Sequence, residues 1–189
     1  MPSSDRAAAA DWARTMLADP RALILDTETT GLDDRAEIVQ IAVIDMAGTV
    51  KLDTLVRPTM AIPPAATKIH GITDALVANA PTMATIYDSL LALLAGELVI
   101  IYNAAYDVRL LAQSIRAAAV TDPTLRGHDR SMAAFAQWHC AMLRYSAWIG
   151  DWNDYHGNYR WQRLPGGDHS ALGDCRATLA VLQRMAEGV

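Results

Sequence analysis

The stretch Leu23-Ile24-Leu25-Asp26-Thr27-Glu28-Thr29-Thr30-Gly31 constrains this chain more than any other. Three aliphatic residues suited to a buried strand run straight into two carboxylates spaced two apart. Side chains alternate along a strand, so Asp26 and Glu28 share one face at its carboxyl end. Two carboxylates this close repel each other, and a bound divalent cation reverses that cost, so the pair reads as a site for a hard metal ion. Thr29, Thr30 and Gly31 add hydroxyls, backbone N–H groups and a residue that lets a ligand approach the main chain. Surface carboxylates at a strand end would look the same, so the pair alone decides nothing.

A chain of 189 residues fits one domain of ordinary core size, here residues 21–189, with an appended helix at 1–20. In that helix Ser4 or Asp5 can cap the start, Ala7 to Ala10 have high helix propensity, and Asp19-Pro20 ends it. Its large apolar residues are Trp12, Met16 and Leu17, which suggests an appendage docked on the surface. The apolar fraction is 52%, yet no run of about 18 apolar residues predicts a membrane span. The amino terminus lacks the features of a signal peptide, and Cys140 and Cys175 are too few for a disulfide framework. A cytoplasmic protein with no membrane partner is expected. The net charge of −5 argues against coating long duplex nucleic acid, but not against a strand end held through metal ions.

In chain order, a strand over 22–26 precedes a polar turn at 31–34. Alternating β-branched residues predict a strand over 37–45 and another over 49–57, together an antiparallel meander. Pro58, Pro63 and Pro64 imply a loop, followed by a short helical segment near 74–79. A helix opens at Pro81-Thr82 and closes at Gly96, a short buried strand covers 98–102, and a helix carries Val108, Leu111, Ile115 and Ala118 on one stripe. Residues 121–130 read as loop, and 133–148 as regular structure of undecided type around Trp138-His139-Cys140. Residues 150–167 read as an ordered loop before a final helix over 170–187. This order predicts a mixed α/β fold around one sheet, and the missing Gly-x-Gly-x-x-Gly excludes a dinucleotide-binding fold.

Two further clusters fall at element ends. Asn103-Ala104-Ala105-Tyr106-Asp107 places a carboxylate in the first turn of a helix, where partial positive charge favours it. In His169-Ser170-Ala171-Leu172-Gly173-Asp174, helical residues five apart would face about 140° apart. His169 and Asp174 converge more readily if Ser170 caps the helix and His169 lies in the loop before it.

Asp26-x-Glu28, Asn103-x-x-x-Asp107 and His169-x-x-x-x-Asp174, in this order, resemble the three motifs of the DEDDh class of 3′-to-5′ exonucleases, which includes the proofreading subunit of bacterial replicative polymerase and ribonuclease T. The resemblance spans about residues 22–185, and His70-Gly71-Ile72-Thr73 is similar to a family loop near the scissile end. It implies a ribonuclease H-like mixed sheet flanked by helices. It also implies hydrolysis from the 3′ end of single-stranded nucleic acid, DNA more than RNA, with release of nucleoside 5′-monophosphates. Two Mg²⁺ or Mn²⁺ ions would be held by Asp26, Glu28, Asp107 and Asp174, an all-oxygen set that suits either metal, with His169 as general base. Thr27, Thr29, Thr30, Gly31, His70, Asn103 and Tyr106 would contact the terminal nucleotide. Association with a DNA polymerase and pairing into a homodimer are both compatible with it. The rivals are a non-catalytic module that grips nucleic-acid ends and an endonuclease of the same fold.

This chain departs from the family pattern in having Tyr102 where many relatives have His, and Tyr106 where many have Phe. The connection from Asp107 to His169 is long and unlike that of the proofreading subunit. It holds eight of the chain's twelve aromatic residues, between Phe135 and Trp161, with Arg160 and Arg163 close by. Such a segment can stack unpaired bases, or it can form a small core or a subunit interface.

Overall fold

The computed structural model describes residues 2–188. After helix α1 (Pro2–Ala18), strands β1 (Ala22–Thr29), β2 (Ile38–Asp45) and β3 (Val50–Leu55) form the expected meander. Short helices α2 (Pro64–His70) and α3 (Asp74–Val77) lead to α4 (Met83–Leu94), β4 (Leu98–Ile101) and α5 (Ala104–Ala118). Then come α6 (His128–Phe135), β5 (Gln137–Cys140), α7 (Ala141–Ile149), a small hairpin of β6 (Trp152–Asn153) and β7 (Asn158–Tyr159), and α8 (Ala171–Glu187). The main sheet has the order β3-β2-β1-β4-β5. β1 is antiparallel to β2 and parallel to β4, and β5 extends the sheet in parallel. This is the mixed sheet flanked by helices that the motif pattern implies.

The alternation of β1 distributes its side chains between two apolar layers. Ile24 packs with Ala42, Ile44 and Ile100 beneath α1, α7 and α8, whereas Leu23 and Leu25 pack with Ile41, Val43, Val99 and Ile101 beneath α4 and α5. Continuing that alternation, Asp26 and Glu28 fall on the α8 side and Thr27 on the α5 side. β4 pairs with β1 only from Leu98 to Ile100, so its chain turns into α5 beside Asp26. Burial on both faces explains the near-continuous aliphatic run of β1.

Three expectations need correction. The amino-terminal helix is not a surface appendage: Ala9, Ala10, Ala13 and Met16 are buried in the same layer as Ile24 and Ile100, against α7 and α8. The small alanines let the helices approach closely, while Trp12 and Leu17 lie only partly buried at the edge. Secondly, the proline-rich loop ends at Pro63, because Pro64 starts α2 and Gly71 ends it with φ of 74°. Proline is favoured in a first helical turn, where its missing N–H costs nothing, and glycine at a left-handed cap. Thirdly, α6 occupies part of the segment read as loop, and Trp138-His139-Cys140 is strand. Along the aromatic-rich connection Tyr145 and Trp148 are buried and stacked, Phe135, Trp138 and Tyr159 are partly buried, and Trp152, Tyr155 and Trp161 are exposed.

Among the described residues no helix is long and apolar enough to cross a membrane. Both cysteines are free thiols, Cys175 being buried against the carbonyls of Ile24 and Ala42.

Candidate active site

A cleft of about 700 Å³ opens at the carboxyl end of β1 and is lined by Asp26, Glu28, Asp107, His169 and Asp174 together with Thr27, Thr29, Thr30, Gly31, His70, Asn103 and Tyr106. All twelve residues singled out from the sequence therefore meet in one place. Ligand atoms of Glu28, His169 and Asp174 lie within 4.8 Å of one another. Asp107 sits on the other side of β1, fully within the fold at 4% exposure.

The electrostatics are those of crowded acids. Burial, then the neighbouring charges of Asp107, Asp174 and Glu28, raise the Asp26 carboxyl well above the ordinary range. Burial pushes Glu28 up to about 7, with Asp174 and Asp107 adding to it, and burial pushes Asp107 up to about 7. No lysine or arginine is among the described residues that line the cleft. Four carboxylates and an imidazole without a compensating cation are a donor set that fits a hard divalent ion. Asp26, Glu28 and Asp174 could hold it on the α8 side, where His169 also lies beside Glu28 and Asp174, and Asp107 on the α5 side.

His169 occupies an unusual backbone position, with φ of 61°, the only positive value outside glycine among the described residues. A left-handed conformation is costly for a side chain larger than glycine's and persists only where the surroundings enforce it. Here Ser170 caps α8 by accepting from the Gly173 N–H, which places His169 in the preceding loop as its sequence context predicts. The Asp168 carboxylate accepts from both the N–H and the hydroxyl of Ser170, and the Asp168 N–H donates to Asp174 at 2.9 Å. The turn that presents the imidazole is thereby tied to a carboxylate of the site. Gln40 fastens the same helix start to β2 by accepting from the Ala171 N–H.

The residues expected to grip a nucleotide fall into two groups. Thr27, which lines the cleft, donates to Asp107 at 2.6 Å, so its hydroxyl orients that carboxylate. Thr30 is buried, accepting from the Glu37 N–H. Thr29 shares a hydrogen bond with the Tyr106 hydroxyl, which also donates to the Gly31 carbonyl at 2.8 Å. His70 accepts from the Ile72 N–H on Nδ1 and lies 3.2 Å from the Thr29 carbonyl on Nε2, which fixes the tautomer protonated on Nε2. Burial holds the His70 ring below the ordinary histidine range, in keeping with a neutral imidazole. These side chains shape the Thr29–Gly31 turn, and Asn103 is exposed in the cleft beside it.

Sequence reasoning missed several contributors. Asp168 had a signal, since an Asp two residues before a serine cap commonly forms such a turn. Gly173 had none until the fold was known: a Cβ there would lie 2.1 Å from an Asp168 carboxylate oxygen. Tyr102, noted as a departure, donates to the carbonyls of Gln162 and Arg163, both at 3.0 Å, and so pins the segment leading to His169 against the cleft wall. Leu32 and Ile69, exposed at 80% and 60%, give the mouth of the cleft an apolar rim.

Comparison with known proteins agrees with this geometry. The RNase_T family model, described as exonuclease, matches residues 23–182. An uncharacterised exonuclease, CP81, of Escherichia phage 186 is 39% identical over 187 residues, covering 93% of each chain. The DNA polymerase III subunit epsilon of Rickettsia conorii is 35% identical over 108 residues, 54% of this chain, and the match spans 47% of that subunit. Among solved structures, exonuclease X in complex with 5′-overhanging duplex DNA superposes with a TM-score of 0.57 at 31% identity, covering 88% of this chain and 91% of that one. Exonuclease I of E. coli shares the fold, with a TM-score of 0.64 at 19% identity over 42% of its own length. A strand-borne acid pair, a helix-borne acid and a His–Asp turn converging in one cleft, within a sequence that matches over most of its length, establish that this chain belongs to the exonuclease family that includes ribonuclease T and the proofreading subunits, enzymes that act on nucleic acid.

Proposed function

We propose that the protein is a metal-dependent 3′-to-5′ exonuclease that shortens single-stranded ends, DNA in preference to RNA, and releases nucleoside 5′-monophosphates. The observation that carries this reading is the convergence of Asp26, Glu28, Asp107 and Asp174 with His169 in one cleft. Binding alone would need no imidazole held in a strained turn. The exonuclease X relative is in complex with DNA, which favours DNA as substrate.

Two Mg²⁺ or Mn²⁺ ions bound by the four carboxylates would supply neutralisation of the phosphodiester and of its leaving oxygen. The protein's own groups do the rest. His169 takes a proton from the water that attacks the terminal phosphorus, and the bond to the 3′-oxygen of the penultimate nucleotide breaks as that oxygen gains a proton from solvent. Thr27 holds Asp107 in place, and the Thr29–Gly31 backbone with Asn103 orients the terminal nucleotide. The apolar rim of Leu32 and Ile69 meets its base. Residues of α2 and the Thr29–Gly31 turn form part of the cleft wall around the terminal nucleotide. The free thiols fit the reducing cytoplasm.

The test is an assay of linear and circular single strands, DNA and RNA, in Mg²⁺ and in Mn²⁺, with product identification. Release of 5′-monophosphates from 3′ ends is expected, abolished in Asp26→Ala and Asp174→Ala. Cutting of circles would point to an endonuclease, and strand binding without monophosphate release to a non-catalytic module.

A further inference from the structure

The exposed half of the aromatic segment has no role in the chemistry above, yet it begins at the cleft. Leu164 lines the cleft, and the Tyr102 hydroxyl fixes the two residues before it. Immediately upstream stands Trp161, 69% exposed, with its ring against no other described ring. Next to the pinned carbonyls is Arg163, also exposed, whose guanidinium has neither a carboxylate nor a hydrogen-bond partner among the described residues. Arg160 differs, being paired with Asp151 at 3.4 Å.

The hairpin behind these residues is anchored. Trp152 packs edge-on against Tyr159 at 5.0 Å between centroids, and the Tyr159 hydroxyl donates to Asp5 of α1 at 2.7 Å. A large indole left in water on an anchored segment is a preformed stacking surface, because little ordering is needed when a flat ligand arrives. Its neighbour Arg163 supplies positive charge outside a cleft with no lysine or arginine among the described residues of its wall.

We propose that Trp161 and Arg163 form a second contact for the nucleic-acid strand, in which Trp161 stacks on a base upstream of the terminal nucleotide and Arg163 meets a backbone phosphate. This deepens the exonuclease reading and rests on it. The occupant is an unpaired strand, because the segment runs directly into Leu164 of the cleft that would receive the strand's end and pairs an exposed aromatic with an exposed cation. Stacking of this kind tolerates any base, so the contact serves affinity and processive shortening without choosing sequence.

The experiment compares kcat/KM on a single strand of roughly 20 nucleotides with kcat/KM on a dinucleotide too short to reach Trp161. In Trp161→Ala the ratio of the two falls about tenfold, through KM for the long strand, while Trp161→Phe retains most of it. In Arg163→Ala the slope of log affinity against log salt for the long strand becomes shallower by about 0.7. An unchanged ratio in Trp161→Ala overturns the proposal. So does a loss of self-association in that variant, seen by sedimentation, with KM for the long strand unaltered, since the surface would then be a face between copies. Should the protein cleave neither substrate, the exonuclease reading fails by itself. The strand contact is then decided by anisotropy of a labelled oligomer: weaker binding by Trp161→Ala upholds it, and equal binding refutes it.

Discussion

The two walls of the cleft are built on different principles. On one side, Asp26, Glu28 and Asp107 stand on β1 and α5, and the latter two are at most 8% exposed. Their positions follow from regular periods, and Thr27 links strand to helix across the site. On the other side, His169 sits exposed in a left-handed turn held by Asp168, Ser170 and Gly173, downstream of the segment that Tyr102 pins. On the proposed function, the difference separates two tasks. Groups that share a cation must hold a fixed spacing against mutual repulsion, which rigid elements provide. A group that takes and then loses a proton needs access to solvent and room to turn.

If this division is right, the two walls fail in different ways. The largest effect is expected from His169→Gln, which should lower kcat by about 10²–10⁴-fold while leaving calorimetric Mn²⁺ affinity unchanged. Loss of metal binding in that variant would place His169 among the principal ligands and erase the contrast. Thr27→Val keeps the shape but frees the Asp107 carboxyl, and should weaken Mn²⁺ binding by about 10–100-fold, as measured by the same titration.

A smaller effect tests the rigid wall through pH. The Glu28 carboxyl lies at about 7 in the folded protein against an ordinary 4.5, so the folded state holds this proton more tightly than the unfolded chain does. Its contribution to stability is therefore complete below about 4.5 and lost as pH rises through about 7. In chelator, denaturant melts should show wild type losing on the order of 2 kcal/mol relative to Glu28→Gln between acid and mildly alkaline pH. Saturating Mg²⁺ should remove that difference. Parallel pH profiles in chelator would refute the assignment of strain to Glu28. The smallest change is expected at the strapped wall: Gly173→Ala drives a Cβ into Asp168 but gains helix propensity, for a net loss of about 1 kcal/mol. Because the turn carrying His169 moves, kcat should fall more than stability alone explains. Unchanged kcat would show that Asp168 is not needed to hold the imidazole.

The sequence was most legible where one element supplied both the signal and the structure. The apolar run into Asp26-x-Glu28, the serine cap at Ser170 and the meander were all readable from local spacing. The helix at 64–70 was not, because its prolines look like breakers until it is clear that Pro64 opens a helix. The packing of the amino-terminal helix was legible only in part: Met16 is buried as a docking side chain should be, but Ala9, Ala10 and Ala13 make the rest of the buried face while Trp12 and Leu17 stay partly buried. The place of Thr27 and Thr30 in the cleft was legible from their position beside the acids, but their hydrogen bonds were not. Their actual partners, Asp107 and the Glu37 backbone, come from other segments.

By itself, then, the sequence determined which carboxylates and which histidine end up at element termini, since the period of a strand and the cap of a helix are local properties. Tertiary structure alone decided how those termini are oriented and which polar groups remain free for a substrate. Thr27 meets a carboxylate 80 residues away, and Tyr102 meets carbonyls 60 and 61 residues away. Such contacts depend on how the two faces of the sheet are packed. Packing also split the aromatic segment into a buried pair and an exposed face, because the layer beneath α7 and α8 had room for Tyr145 and Trp148 and left Trp161 at the surface.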